Sequence, residues 1–110
     1  MANTFKNETL RASGTTLASI GSAVASSTQT TIIGMTVANI VSSVISVGVK
    51  LVDSSANETW LVKDAPIPTG GALVVVGGDQ KVVMETGDII KVISNTASSM
   101  DVVMSYLEIT

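Results

Sequence analysis

The sequence predicts an all-β protein: a β-sandwich, jelly-roll-like, of about eight or nine short antiparallel strands in a single domain spanning residues 1–110. Three observations predict it. No window places apolar residues at i, i+3, i+4 and i+7 with charge on the opposite side, so amphipathic helices are not expected. Runs rich in β-branched residues recur at roughly ten-residue spacing. Clusters of Gly, Asn, Asp and Ser separate those runs, where turns need them.

Taken in order, the expected strands are Thr4–Leu10, Leu17–Val24, Thr30–Ala38, Ile45–Leu51, Thr59–Lys63, Ala72–Val76, Lys81–Glu85, Ile89–Ser94 and Val102–Ile109. The first lies in a stretch that alternates polar and apolar residues. The second falls in the Ala-, Ser- and Thr-rich segment 12–31, where a mobile arm or a short helix are the competing expectations. Residues 1–30 as a whole are thus a candidate extended N-terminal arm or interface segment. In Ile45–Leu51 the period is plain, with Ile45, Val47, Val49 and Leu51 on one side and Ser46, Gly48 and Lys50 on the other. Leu73–Val76 and Ile89–Ile93 are apolar at both parities, which predicts burial of both faces, one by the core and one by a neighbour. Thr69-Gly70-Gly71 follows Pro66 and Pro68, Gly77-Gly78-Asp79 parts two apolar runs, and Thr86-Gly87-Asp88 is expected to close a hairpin between Lys81–Glu85 and Ile89–Ser94. Two connections look alike, Asn39-x-x-Ser42-Ser43 and Asn95-x-x-Ser98-Ser99.

Composition narrows the function. Apolar residues are 45% of the chain and charged residues 14%, against roughly 25% charged in an ordinary soluble domain. A domain this small hides only about two thirds of its unfolded surface, so surplus apolar area calls for an interface. A homo-oligomer is the expectation, a trimer being one form. The net charge of −3 and the single scattering of Lys6, Arg11, Lys50, Lys63, Lys81 and Lys91 argue against a nucleic-acid partner. Only Phe5, Trp60 and Tyr106 are aromatic, too few for a stacking platform or a sugar-binding surface. From Ile32 to Val49 there is no charge, but Asn39, Ser42, Ser43 and Ser46 interrupt the run and its β-branched content is high, so no membrane span is expected. No leader-like apolar run opens the sequence, and the chain is expected to stay where it is made until it assembles.

No chemistry presents itself. Without histidine the commonest base for a Ser or Thr nucleophile is missing, and without cysteine there is no thiolate catalysis or disulfide. No catalytic residue, cofactor or metal is assigned. Asp79, Glu85 and Asp88 form the densest acidic group, but their spacing fits no calcium loop and suits solvated turns. Gly77-Gly78-Asp79-Gln80-Lys81 continues into Val82 and Val83 rather than into a helix, so it reads as a turn and not a phosphate cradle. Asn7-Glu8-Thr9 and Asn57-Glu58-Thr59 are read as chance sequons. Trp60 is a candidate interface anchor or core cap, and Pro66, Ile67 and Pro68 a rigid contact loop. Val74, Val76 and Ile90 are the candidate outward apolar contacts, while the inward parity of the Ile89 strand stays open.

Ile33-Gly34-Met35-Thr36-Val37-Ala38-Asn39, Leu61-Val62-Lys63-Asp64-Ala65-Pro66-Ile67-Pro68, Gly77 to Asp88 and the ending Ser105-Tyr106-Leu107-Glu108-Ile109 resemble small virion structural proteins of tailed bacteriophages, notably marine cyanophages. The resemblance is weakest over 12–27. It implies a non-enzymatic component of the virion. Within that class the preferred expectation is a capsid decoration or cement protein, bound to itself and to a major capsid protein; the alternative is a tail, baseplate or fibre-associated adaptor.

Overall fold

The structure, a computed structural model, describes residues 2–110. Among the described residues there are nine strands and no helix: β1 (Asn3–Ser13), β2 (Ala18–Ile20), β3 (Gln29–Asn39), β4 (Ile45–Val52), β5 (Glu58–Ile67), β6 (Ala72–Val76), β7 (Val82–Met84), β8 (Ile89–Ser94) and β9 (Met100–Ile109). Two antiparallel sheets form. One has the order β1-β9-β3-β6 with β7 also on β3; the other has the order β2-β8-β4-β5.

The pairings nest. β4 pairs β5, β3 pairs β6 and β7, β2 pairs β8, and β1 pairs β9. The chain is therefore one long antiparallel hairpin rolled up so that β9 also meets β3 and β8 also meets β4, which is the jelly-roll winding of a sandwich. Since β6 and β7 share one edge of β3, the nine segments fill eight strand positions.

Alternation places the core. Ile32, Met35 and Val37 of β3 and Met100, Val102 and Met104 of β9 face Val47 and Val49 of β4 and Ile90 and Val92 of β8. Asn39 closes one end of the sandwich. Its buried carboxamide nitrogen donates to the carbonyls of Ser43 (2.8 Å), Ile67 (3.0 Å) and Pro68 (3.3 Å), and its oxygen accepts from the Val41 amide. A single side chain thus ties β3, the β3–β4 loop and the Pro-containing end of β5. The second Asn-x-x-Ser-Ser loop lies at the same end, where the Ile40 amide donates to the Ser99 carbonyl and the Asn95 side chain accepts from the Ser46 amide.

Three local expectations change. Thr86-Gly87-Asp88 does not close a hairpin: β7 pairs with β3 in one sheet and β8 with β2 and β4 in the other, so this turn crosses between sheets. A Gly-Asp turn fixes the reversal but not which strands pair. Residues 3–13 lie as a strand along β9 rather than as an arm. Between Gly14 and Thr28 the structure has loops and the three-residue β2, not a helix or a full strand over Leu17–Val24.

The sheet edges differ. β2 is three residues long. β5 carries two register shifts against β4, a left-handed Asp64 (φ 53°) and Pro66, all of which spoil an edge for further pairing. The edge beyond β3 is broken between β6 and β7. Only β1 is long and regular, with Asn3 to Leu10 in unshifted register against β9.

Candidate assembly surface

The two outer faces of the sandwich are chemically unlike. On β9 the core residues are Met100, Val102, Met104 and Tyr106, so Asp101, Val103, Ser105 and Leu107 point outward, and their cross-strand partners share that face. One row runs Phe5, Leu107, Thr31, Val83; the next Asn7, Ser105, Gly34; the next Thr9, Val103, Thr36, Val74. No ionisable side chain interrupts these rows. Phe5 is 74% exposed, Val74 and Val83 64%, and Val103 43%, values far outside the core range. A shallow groove of ≈ 330 Å³ between Arg11, Thr36, Ala38, Asp101 and Val103 ends the face.

The outer face of the other sheet is charged. Lys50 lies directly opposite Lys91 on one side and Trp60 on the other. Lys50 Nζ bridges Glu58 at 2.9 Å and stands 5.1 Å from the centre of the Trp60 ring, with Lys63 Nζ at 5.6 Å. The indole also covers Gly48, where a Cβ would come within 2.7 Å of Trp60 Cζ3. Trp60 is therefore a lid over the outer face of this sheet and not a cap on the core. It buries the stem and head of Lys50 while keeping 39% of its own surface exposed.

The candidate contact residues divide. Val74, Pro66 and Pro68 are exposed. Ile67, Val76 and Ile90 are core side chains and have no outward surface, which corrects their assignment as contacts. For Val76 the cause is a bulge: Met35 pairs Val76 and Thr36 pairs Val74, so Val75 is the extra residue and the alternation reverses between Val74 and Val76. For Ile90 the register against β4, Leu51 with Ile90 and Val49 with Val92, sets the inward parity that sequence alone left open. Ile67 pairs Ile45 at the closed end, and its carbonyl is held by Asn39. Phe5, Val83 and Val103 were missed. Outward apolar residues at the partners of β9 become visible only once the β1–β9–β3 register is known.

Elsewhere little chemistry converges. A polar cleft of ≈ 160 Å³ is lined by Glu8, Thr30, Tyr106, Glu108 and the 21–25 loop. There the Tyr106 hydroxyl donates to Glu8 Oε2 at 3.3 Å, and burial, then the Glu8 charge, pushes the phenol above its usual range. Tyr106 is 9% exposed and offers no flat sugar platform. Asp79 and Glu85 are exposed, whereas Asp88 is buried and accepts the Glu85 amide at 2.8 Å, a turn-closing role. Among the described residues no three acidic side chains gather where they could hold a metal ion.

No family model matches the chain, and no curated protein matches it. Among solved structures, "Structure of infectious bursal disease virus Gt strain" is similar over 98% of this chain and 30% of that chain, at 8% identity and a TM-score of 0.44. The chain thus spans under a third of the length of the protein it matches, and a likeness at that score carries no functional argument.

Proposed function

We propose that this chain is a non-enzymatic structural protein of a virus particle, a decoration protein that docks on the capsid lattice through the outer face of its five-stranded sheet. The observation that carries the reading is the contrast between those uncharged, apolar-bearing rows, with Arg11 and Asp101 only at their end, and the charged, Trp60-covered face behind them. Four strands at about 4.8 Å spacing and eight residues at about 3.3 Å rise give a patch of roughly 500 Å². Seated on a partner, it removes about 1,000 Å² in total from water, the lower bound of a specific interface. Binding to assembled shell in preference to free subunits stabilises the shell by mass action. The resemblance of residues 33–39, 61–68 and 77–88 to phage virion proteins supports the same reading, and a jelly roll suits it, although that fold serves many functions.

The test is the copy number of the protein in purified particles, measured by quantitative mass spectrometry against the major capsid protein. A ratio near one per capsid subunit supports decoration. A few to a few dozen copies would move the protein to the tail, baseplate or fibre, and absence from particles would overturn the particle reading.

A further inference from the structure

We infer that β1 is a strand-addition edge for a second copy of this chain, paired antiparallel about a two-fold axis through Asn7 so that Lys6 of each copy faces Glu8 of the other. This goes beyond the docking proposed above and rests only on the self-association that the apolar composition leads one to expect. The first support is the edge itself. β2 is too short, β5 is twice bulged and the β6/β7 edge is broken, but Asn3–Leu10 runs without a register shift. Among the described residues, positions 3–10 make no backbone hydrogen bond outside the β9 ladder, so alternate amides and carbonyls face outward with no protein partner. An edge left open in this way is the usual template for another strand.

Charge selects the register. In a two-fold antiparallel pair, residues equidistant from the axis lie opposite one another on the same face. An axis through Asn7 sets Lys6 against the second copy's Glu8, Glu8 against its Lys6, Phe5 against its Thr9 and Thr4 against its Leu10, all within the regular stretch. Moving the axis to Lys6 or to Glu8 sets like charges against each other, which disfavours both. Lys6 has capacity to spare: its ammonium carries three protons and gives one to Glu108 at 2.9 Å, and the Glu108 carboxylate holds the amine above its usual range.

The geometry also serves the proposed docking face. A two-fold axis perpendicular to the sheet leaves both apolar-bearing faces on the same side. Two five-stranded sheets then form one of ten strands (5 + 5), presenting twice the area to a lattice.

The test uses the full chain, which contains no cysteine. Asn7→Cys introduces one thiol at the axis, where Cα atoms in opposed positions lie about 4.5–5.5 Å apart, a separation that a disulfide spans. Thr9→Cys is the control, because four residues separate its own copy from the position opposite it, about 13 Å. Mild oxidation is expected to convert N7C to a covalent dimer and leave T9C a single chain. By sedimentation, K6E and E8K should each dimerise about tenfold or more weakly than the wild type, while an equimolar mixture of the two restores a heterodimer of wild-type affinity. An N7C protein that stays single-chain, a T9C protein that cross-links as readily, or a mixture with no heterodimer overturns the edge geometry. If the wild type still sediments as an oligomer in that case, self-association stands without β1. Conversely, a cross-linked N7C dimer of a protein absent from particles would leave the edge in place and remove the particle reading.

Discussion

Removing Trp60 tests the lid on the charged face and can be worked in numbers. The side chain is 39% exposed, so about three fifths of it is covered. A covered aromatic side chain buries about 150–250 Å², and three fifths of that at about 25 cal/mol per Å² gives roughly 2–4 kcal/mol. Residual burial in the unfolded chain trims the figure to about 2–3 kcal/mol. Two lysines over the ring add about 0.5–1 kcal/mol each at most. Trp60→Ala should therefore destabilise by about 3 kcal/mol. Gly48 supplies the second corner of a cycle. Its φ is not left-handed, so alanine fits the backbone, but the new methyl would meet Cζ3 at 2.7 Å. Gly48→Ala alone should cost about 1–3 kcal/mol by overpacking. In the Trp60→Ala background the same change should gain about 0.5–1 kcal/mol, the ordinary advantage of alanine over glycine within a strand. Guanidinium unfolding followed by far-UV circular dichroism at one protein concentration gives all four stabilities, fluorescence being lost with the only tryptophan. If Gly48→Ala cost the same in both backgrounds, Trp60 would not lie on Gly48 and the lid would be wrong.

Three further outcomes are expected. Asn39→Asp turns a carboxylate oxygen toward the carbonyls of Ser43, Ile67 and Pro68 and should cost about 3 kcal/mol or more at neutral pH; burial and the carbonyls favour the protonated acid, which donates again, so the loss should shrink as pH falls toward the unfolded value of about 4, as acid titration of thermal stability would show. Asp53 accepts the Ser55 and Asn57 amides, and the Asn57 backbone above all holds its carboxyl below the usual range. Its contribution is present above the unfolded value of about 3.9 and is lost as pH falls through the lowered folded value, so Asp53→Asn should flatten that part of the pH–stability curve. Val74→Asp, at a 64% exposed site, should change stability by less than about 0.5 kcal/mol yet reduce incorporation into particles at least about tenfold, measured by mass spectrometry of purified virions.

The strands were largely legible because period and punctuation agree. β6 and β8 fall on the expected residues, and β4 and β9 differ from expectation only at their ends. What sequence could not supply was relation. The Gly87 turn does not reveal that its flanking strands belong to different sheets, and the extra residue Val75 reverses a face that simple alternation assigns to both Val74 and Val76. Trp60 could be singled out by type, but its role depends on Gly48 lying one strand away, beneath it. A glycine inside a strand does mark close approach, and that signal was available in Ser46-Gly48-Lys50. The outward row Phe5, Leu107, Thr31, Val83 draws on four segments distant in sequence, so no window of neighbouring residues contains it.

The bulges of β5 bear on how far growth proceeds. A sandwich open at two edges would add molecules end to end and become a fibre, whereas one open edge can satisfy only its own kind. With β1 the sole unbroken edge, the strand pairing inferred above would terminate at two molecules. Removing both register shifts, the left-handed Asp64 and Pro66 would open a second edge on β5. A pairing that would otherwise end at two molecules would then continue into filaments.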